Sequence, residues 1–205
     1  MTSDSDLIRA WRAGDRRAGS ALFERHFDGV RRFFRNKVDQ GVEDLVQRTF
    51  VACLEGRDRF REEASFRTYL FAIAHNLLRE HFRRQRRATE ELDLERLSII
   101  DLGASPSSLL VARAEEKLLL HGLRQLPIAS QVLLELYYWE QLTGAELGVF
   151  LGVPEDTARS RLRKAKAQLE AALKRLASDP VDLDSTLAGL DRWAASLRAQ
   201  LAPVT

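Results

Sequence analysis

Apolar residues recur at three- and four-residue steps along most of the chain, with charged residues between them, a pattern of amphipathic helices rather than strands. Leu7, Ile8 and Trp11 predict a short helix over 6–13, closed by Gly14. Phe23, Phe27, Val30, Phe34 and Val38 predict a second over 16–38, with Arg31, Arg32 and Arg35 between them and Asp39-Gln40-Gly41 as the break. Val42, Leu45, Val46, Thr49, Phe50, Cys53 and Leu54 form one stripe of a third helix, opposite Glu43, Asp44, Gln47 and Arg48. Residues 55–64 read as a charged loop. Ser65 can cap a fourth helix whose expected inner side holds Phe66, Tyr69, Leu70, Ile73, Leu77 and His81.

Charge then divides the chain. Residues 79–87 carry five arginines against one glutamate, and residues 88–101 carry five acids against Arg96 alone. With Ser105-Pro106-Ser107-Ser108 behind it, the acidic stretch reads as a linker over 88–111. It can lie near the basic end Arg83–Arg87. Beyond it, one helix runs through Leu119, Leu123 and Leu126 to Pro127, and another covers Ser130 to Trp139. Thr143 and Glu146 form a Thr-x-x-Glu capping box that opens a short helix with Leu147, Phe150 and Leu151. Gly152 turns the chain, Pro154 suits a first helical position, and a basic helix follows to about Leu176. A capped short helix, a glycine turn and a basic helix in that order are a helix-turn-helix signature. Thr157, Arg159, Ser160, Arg163 and Lys164 are its outward candidates, with Ala158, Leu162 and Ala165 packing inward. The expected fold class is therefore all-α: two small helical domains joined by a linker.

Composition narrows the chemistry. Thirty-two Lys and Arg against thirty Asp and Glu leave a net charge of +2, so the chain is no polycation, yet its basic runs suit phosphate. The single cysteine, Cys53, lies on an apolar stripe and reads as a buried hydrophobe. No disulfide framework or Cys-rich zinc site is expected. His26, His75, His81 and His121 are scattered and form no His-Glu-x-x-His motif, so no metal, cofactor or catalytic residue is expected. The acidic N-terminus carries no apolar h-region, and no stretch reaches the length that spans a bilayer. A cytoplasmic protein without membrane insertion is the expectation.

Two blocks of residues resemble a known family. Asp44-Leu45-Val46-Gln47-Arg48-Thr49-Phe50, then Phe60-Arg61, then residues 65–76 (SFRTYLFAIAHN) resemble region 2 of bacterial extracytoplasmic-function (ECF, group 4) sigma factors. Leu126-Pro127, residues 142–154 (LTGAELGVFLGVP) and residues 157–162 (TARSRL) resemble region 4 of the same family. The resemblance covers roughly residues 5–175 and implies region 2 over 5–87 and region 4 over 112–176. It also implies a non-enzymatic transcription initiation factor. Asp44, Leu45, Val46, Gln47 and Phe50 would meet the clamp coiled coil of the polymerase β′ subunit, and region 4 the β flap. Phe60, Arg61, Asn76, Arg79, Glu80, Arg83 and Arg84 would contact the −10 element, and Thr157, Arg159, Ser160, Arg163 and Lys164 the −35 element. Implied partners are core RNA polymerase, promoter DNA and, in some members, an anti-sigma protein. The alternative reading is a plain helix-turn-helix regulator that needs no polymerase, but such a regulator has no use for block 44–76. A nucleic-acid-processing enzyme built on His75 or His26 is a more distant rival.

The sequence departs from the family in three places. Arg48 stands where an acidic residue is usual, so a polymerase contact is altered or replaced there. Gly148 replaces the usual alanine, which should loosen its helix by up to about 1 kcal/mol. Residues 177–205 extend past region 4, and Leu183, Leu187, Leu190, Ala194, Leu197 and Leu201 place one stripe on an expected helix that needs a partner surface. Deleting residues 179–205 separates two roles for it. A stabilising strut loses melting temperature and activity on deletion, whereas a regulatory mask leaves a folded protein with raised activity. No change in either measurement would dismiss both.

Overall fold

The computed structural model describes residues 2–60, 64–85, 93–101 and 114–176. The C-terminal stripe, Arg61, Arg86 and Arg87 lie outside them. The chain divides into two compact units at Glu90/Glu91. Among the described residues there are eight α-helices, four in each unit, and the sole β feature is an isolated bridge between Ser98 and Pro127.

Unit 1 holds α1 (Asp4–Arg12), α2 (Arg16–Arg35), α3 (Val42–Glu55) and α4 (Phe66–Gln85). Each start has a local cause. The Ser3 hydroxyl accepts from the Asp6 amide, and the Asp15 carboxylate accepts from the amides of Arg17 and Ala18. Gly41, at φ 77°, makes the left-handed entry to α3, and Ser65 accepts from the Thr68 amide at the start of α4. Helix α1 packs on α2, and α3 packs between α2 and α4.

The buried faces differ from the expected stripes on two helices. Helix α2 buries Leu22, His26, Val30, Phe33 and Phe34, leaving Phe27 42% exposed. Helix α4 buries Phe66, Leu70, Phe71, Ala74, Leu78 and Phe82, whereas Tyr69, Ile73, Leu77 and His81 are only half-buried. Helices with apolar residues on more than one side offer several candidate stripes, and cross-helix packing selects one. Here Phe33 meets Phe71 edge-on at 5.7 Å. Cys53 is fully buried, as its stripe position predicts, and burial pushes its thiol up to about 12. The expected loop over 55–64 contains a 3-10 turn, Arg57–Arg59, followed by buried Phe60.

Unit 2 holds α5 (Ala114–Arg124), α6 (Ile128–Tyr138), α7 (Gly144–Leu151) and α8 (Glu155–Leu176). Helix α6 is buried along 131–136, and α5, α6 and α7 all pack chiefly on α8. The two buried polar side chains of α6 satisfy each other in part: Gln131 Nε2 donates to Glu135 Oε1 at 2.8 Å.

The start of α6 has no side-chain cap. Its first amides are bound instead by residues 93–101 of the acidic stretch. Ile128 N–H donates to the Leu97 carbonyl at 2.9 Å and Ala129 N–H to the Leu94 carbonyl at 3.0 Å. Leu94 and Ile99 bury their side chains, and a turn closed by Asp101 on the Ser98 amide and hydroxyl ends the strap. Leaving those amides unbound in a buried site costs about 1–3 kcal/mol each. The segment read from sequence as part of a linker is thus bound into unit 2, and Glu95 comes within 4.0 Å of Arg161 on α8.

The capping box forms as expected at Thr143 and Glu146, and Gly152 takes φ 65° between α7 and α8. Gly148 has a different meaning from the one its helix propensity suggests. A Cβ there would lie 2.9 Å from the Val153 carbonyl oxygen and 3.4 Å from the Glu155 backbone. The close approach of the turn, not tolerance of a loose helix, is what glycine serves. In an open helix, replacing glycine by alanine returns about 1 kcal/mol. Gly148→Ala is expected to return none of it, because the turn must shift to make room. Thermal denaturation checks this, and a raised melting temperature would refute it.

Candidate nucleic-acid interface

The rotation of α4 sets one surface. With Ala74, Leu78 and Phe82 inward, Asn76, Arg79 and Arg83 fall on the outer face at helical spacing, and all three are exposed. Arg84 is also exposed. Two arginines and an amide on that face can hold phosphates and hydrogen-bond an unstacked base. Glu80 lies beside this stripe but is engaged: its carboxylate accepts from Arg48 on α3 at 2.8 Å and from Arg84 one turn on. Arg48 is therefore an α3–α4 tie.

Phe60 does not join that surface. It is 8% exposed, with its ring 4.9 Å from Tyr69 and the Arg12 guanidinium 5.7 Å from its centroid. Arg12 also donates to the carbonyls of Phe60 and Arg57. In the free chain the Phe60 ring is thus packed against Tyr69 and Arg12 at the end of the 3-10 turn, away from the α4 face. Arg61 lies outside the described residues.

On α3, Leu45 and Val46 are 1% and 2% exposed and seat the helix in the core. Thr49, also buried, donates to the Leu45 carbonyl. Asp44 and Gln47 are exposed and Phe50 is half-buried. The sequence reading missed the rest of this face. Val51 and Leu54 are about half exposed, and Phe27 stacks on Phe50 at 6.1 Å with an interplanar angle of 12°. Their exposure was not legible because Leu54 and Phe27 sit on stripes that look like core.

On α8 the expected sides hold. Ala158, Leu162, Ala165 and Leu169 are buried, and Thr157, Arg159, Ser160, Arg163 and Lys164 are exposed. Ser160, Arg163 and Lys164 lie opposite the buried stripe. Arg159 pairs with Glu155 one turn earlier, at 2.6 Å, on the side of α7. Lys166, by contrast, turns to α6 and sits over the Tyr137 ring at 4.3 Å.

The histidines serve structure. His26 bonds Asp4 at 2.8 Å, and with Arg25 it holds that carboxyl down at about 2. Burial first, then the Arg79 and Lys37 cations, push His75 down to about 4. Among the described residues, no group of three or more His, Cys, Asp or Glu side chains could hold a metal ion.

Two surfaces of this kind, a basic outer face on a four-helix unit and a helix-turn-helix on a second unit, define a sigma-factor architecture. The family profile for sigma-70 region 2 matches residues 22–88, and that for sigma-70 region 4 matches residues 116–169, together more than half of the chain. Over 177 residues the chain is 29% identical to RNA polymerase sigma factor NccH of Alcaligenes xylosoxydans xylosoxydans, covering 83% of this chain and 95% of that one. It is 24% identical over 177 residues to the ECF RNA polymerase sigma-E factor of Escherichia coli (strain K12), covering 82% and 93%. The solved structure of CnrH in complex with the cytosolic domain of CnrY matches with a TM-score of 0.62 at 26% identity, over 85% of this chain and 99% of that one. The chain belongs to the ECF RNA polymerase sigma factors. It is a helix-turn-helix protein of transcription initiation and not an enzyme. No helix among the described residues is long and apolar enough to cross a membrane.

His75 gives unit 1 a pH dependence of definite sign. The unfolded chain takes up the imidazole proton near 6.5, and the folded unit excludes it until about 4. Stability is therefore full above the first value and falls as pH drops through the window, by up to about 1.4 kcal/mol per pH unit. Burial lowers His81 too and adds in the same direction. Asp4 acts below this range, as its carboxylate protonates between 3.8 and about 2. Denaturant midpoints taken from pH 7 to 4.5 should fall, and His75→Gln should reduce the fall. An unchanged slope in that variant would assign the proton elsewhere.

Proposed function

We propose that this chain recruits core RNA polymerase to specific promoters and helps melt the −10 region. In this reading Asp44, Gln47 and Phe50, extended by Val51, Leu54 and Phe27, meet the β′ clamp coiled coil, while Leu45 and Val46 hold the helix that presents them. Asn76 binds an unstacked base of the −10 strand, and Arg79, Arg83 and Arg84 neutralise its phosphates. Thr157, Arg159, Ser160, Arg163 and Lys164 enter the major groove at the −35 element. The observation that carries the reading is the pairing, in one chain, of the exposed Asn76–Arg79–Arg83 face with a capped helix-turn-helix. A plain duplex-binding regulator accounts for the second alone. The β flap is the expected polymerase contact for unit 2. Sigma factors among the similar structures are held by anti-sigma proteins or a cytosolic partner domain, and the exposed apolar face of α3 suits such a partner here as well. The working compartment is the cytoplasm, where core polymerase is found.

Run-off transcription with core polymerase on a promoter library tests the reading, and failure to initiate on any member would reject it. Asn76→Ala should leave thermal stability nearly unchanged, since the side chain is exposed, while permanganate reactivity of the −10 region drops. Normal melting by that variant would remove Asn76 from the site. Arg159→Ala should cost about 1–3 kcal/mol on the selected −35 duplex and relax base preference. Arg175→Ala should weaken binding slightly and evenly. Equal losses on selected and scrambled duplexes for Arg159→Ala would overturn its assignment.

A further inference from the structure

The tie between α3 and α4 bears on the −10 surface. Glu80 is one turn from Asn76 and three residues from Arg83, so its backbone position is on the flank of the outward stripe. A free carboxylate there would do harm in two ways. It would repel phosphates, and it would compete with DNA for Arg83, which is within side-chain reach on the same helix. In the structure it does neither. Arg48 Nη2 donates to Glu80 Oε2 at 2.8 Å, and Arg84 takes the other oxygen. Arg48 is itself steadied by Asp44, 3.9 Å away, and its helix is fixed by buried Leu45, Val46, Thr49 and Cys53. Both members of the pair are about one-third exposed, so solvent screening weakens the tie without abolishing its direction. Arg84 alone is a poorer holder, being 66% exposed and near the end of the helix.

We infer that Arg48 is a positioning residue of the −10 surface: it draws the Glu80 carboxylate toward α3, so that Asn76, Arg79 and Arg83 face the strand with no free negative charge among them. The inference rests on the proposed promoter function. It assigns Glu80 no contact with DNA. The arginine's target is the neighbouring helix.

The test is a double-mutant cycle on holoenzyme, with a promoter first selected by the wild-type holoenzyme from duplexes randomised at both elements. Arg48→Ala should lower open-complex formation about five- to tenfold, a coupling within the range seen for residues of one charge network. The salt slope should become shallower by about 0.7, because Arg83 then pairs with Glu80 in place of a single-strand phosphate. Adding Glu80→Gln to Arg48→Ala should restore both quantities to within about twofold, because the liberated charge is gone. Arg48→Lys should retain most of the function. Core-polymerase affinity, measured by titration of labelled sigma, and melting temperature are followed in parallel. A merely structural tie would lower melting temperature and would not be rescued by Glu80→Gln. Absence of rescue, or a loss of core affinity that accounts for the whole defect, overturns the inference and leaves the promoter reading standing. If wild-type holoenzyme selects no promoter, the reading fails and the inference with it.

Discussion

The packing of Phe71, Ala74, Leu78 and Phe82 into unit 1 fixes the rotation of α4 about its own axis. Which side chains of α4 reach the surface follows from that rotation. A turn of one residue position, about 100°, would bury Asn76 or bring Leu78 to the surface. The rotation is held by aromatic edges, by the Phe33–Phe71 contact above all, and by α3 wedged alongside. Once it is set, a helix with weak overall amphipathicity has one face in the core and another that carries Asn76, Arg79 and Arg83 to solvent. The burial of His75 against Arg79 and Lys37 belongs to the same constraint, because an imidazole on the boundary between those faces is kept neutral by its surroundings.

Unit 2 contains a helix that has almost no outside. Helix α6 is covered on all sides, so its polar ends must be satisfied by protein. The strap over 93–101 does this with two carbonyls, and so becomes part of the unit that it would otherwise merely lead into. Helix α8 buries Leu162, Ala165 and Leu169 within the unit, and Ser160, Arg163 and Lys164 are left on the far side. The tight turn at Gly148 and Gly152 sets how closely α7 approaches α8.

Charge is managed locally in a molecule of net charge +2. Arginines that face inward or sideways have carboxylate or carbonyl partners: Arg48 with Glu80, Arg12 with backbone carbonyls, Arg159 with Glu155. Exposed pairs of this kind contribute little to stability. Their importance lies in where they leave positive charge unopposed, on the outer face of α4 and the far face of α8.

The eight described helices, the Ser65 and Thr143–Glu146 caps, the turn glycines and the presence of two units were legible in the sequence, because they rest on local rules: periodicity, Ser at an N-cap, a Thr-x-x-Glu box and glycine turns. The outward residues of α8 were legible too, since its pattern of alanines and leucines admits one buried stripe. On α2 and α4 the pattern admitted several, and only packing against neighbours chose among them; Phe27 is exposed, and Phe33, Phe71 and Phe82 are buried. The partner of Glu80 lies 32 residues away on another helix, and the carbonyls that cap α6 come from a stretch whose composition resembles a linker. Those contacts join residues distant in sequence, and no local preference encodes them. The sequence by itself determined which helices form and which residue types they carry. The tertiary structure decided which of those residues remain free to meet a partner, because exposure is a property of neighbours brought together by the fold.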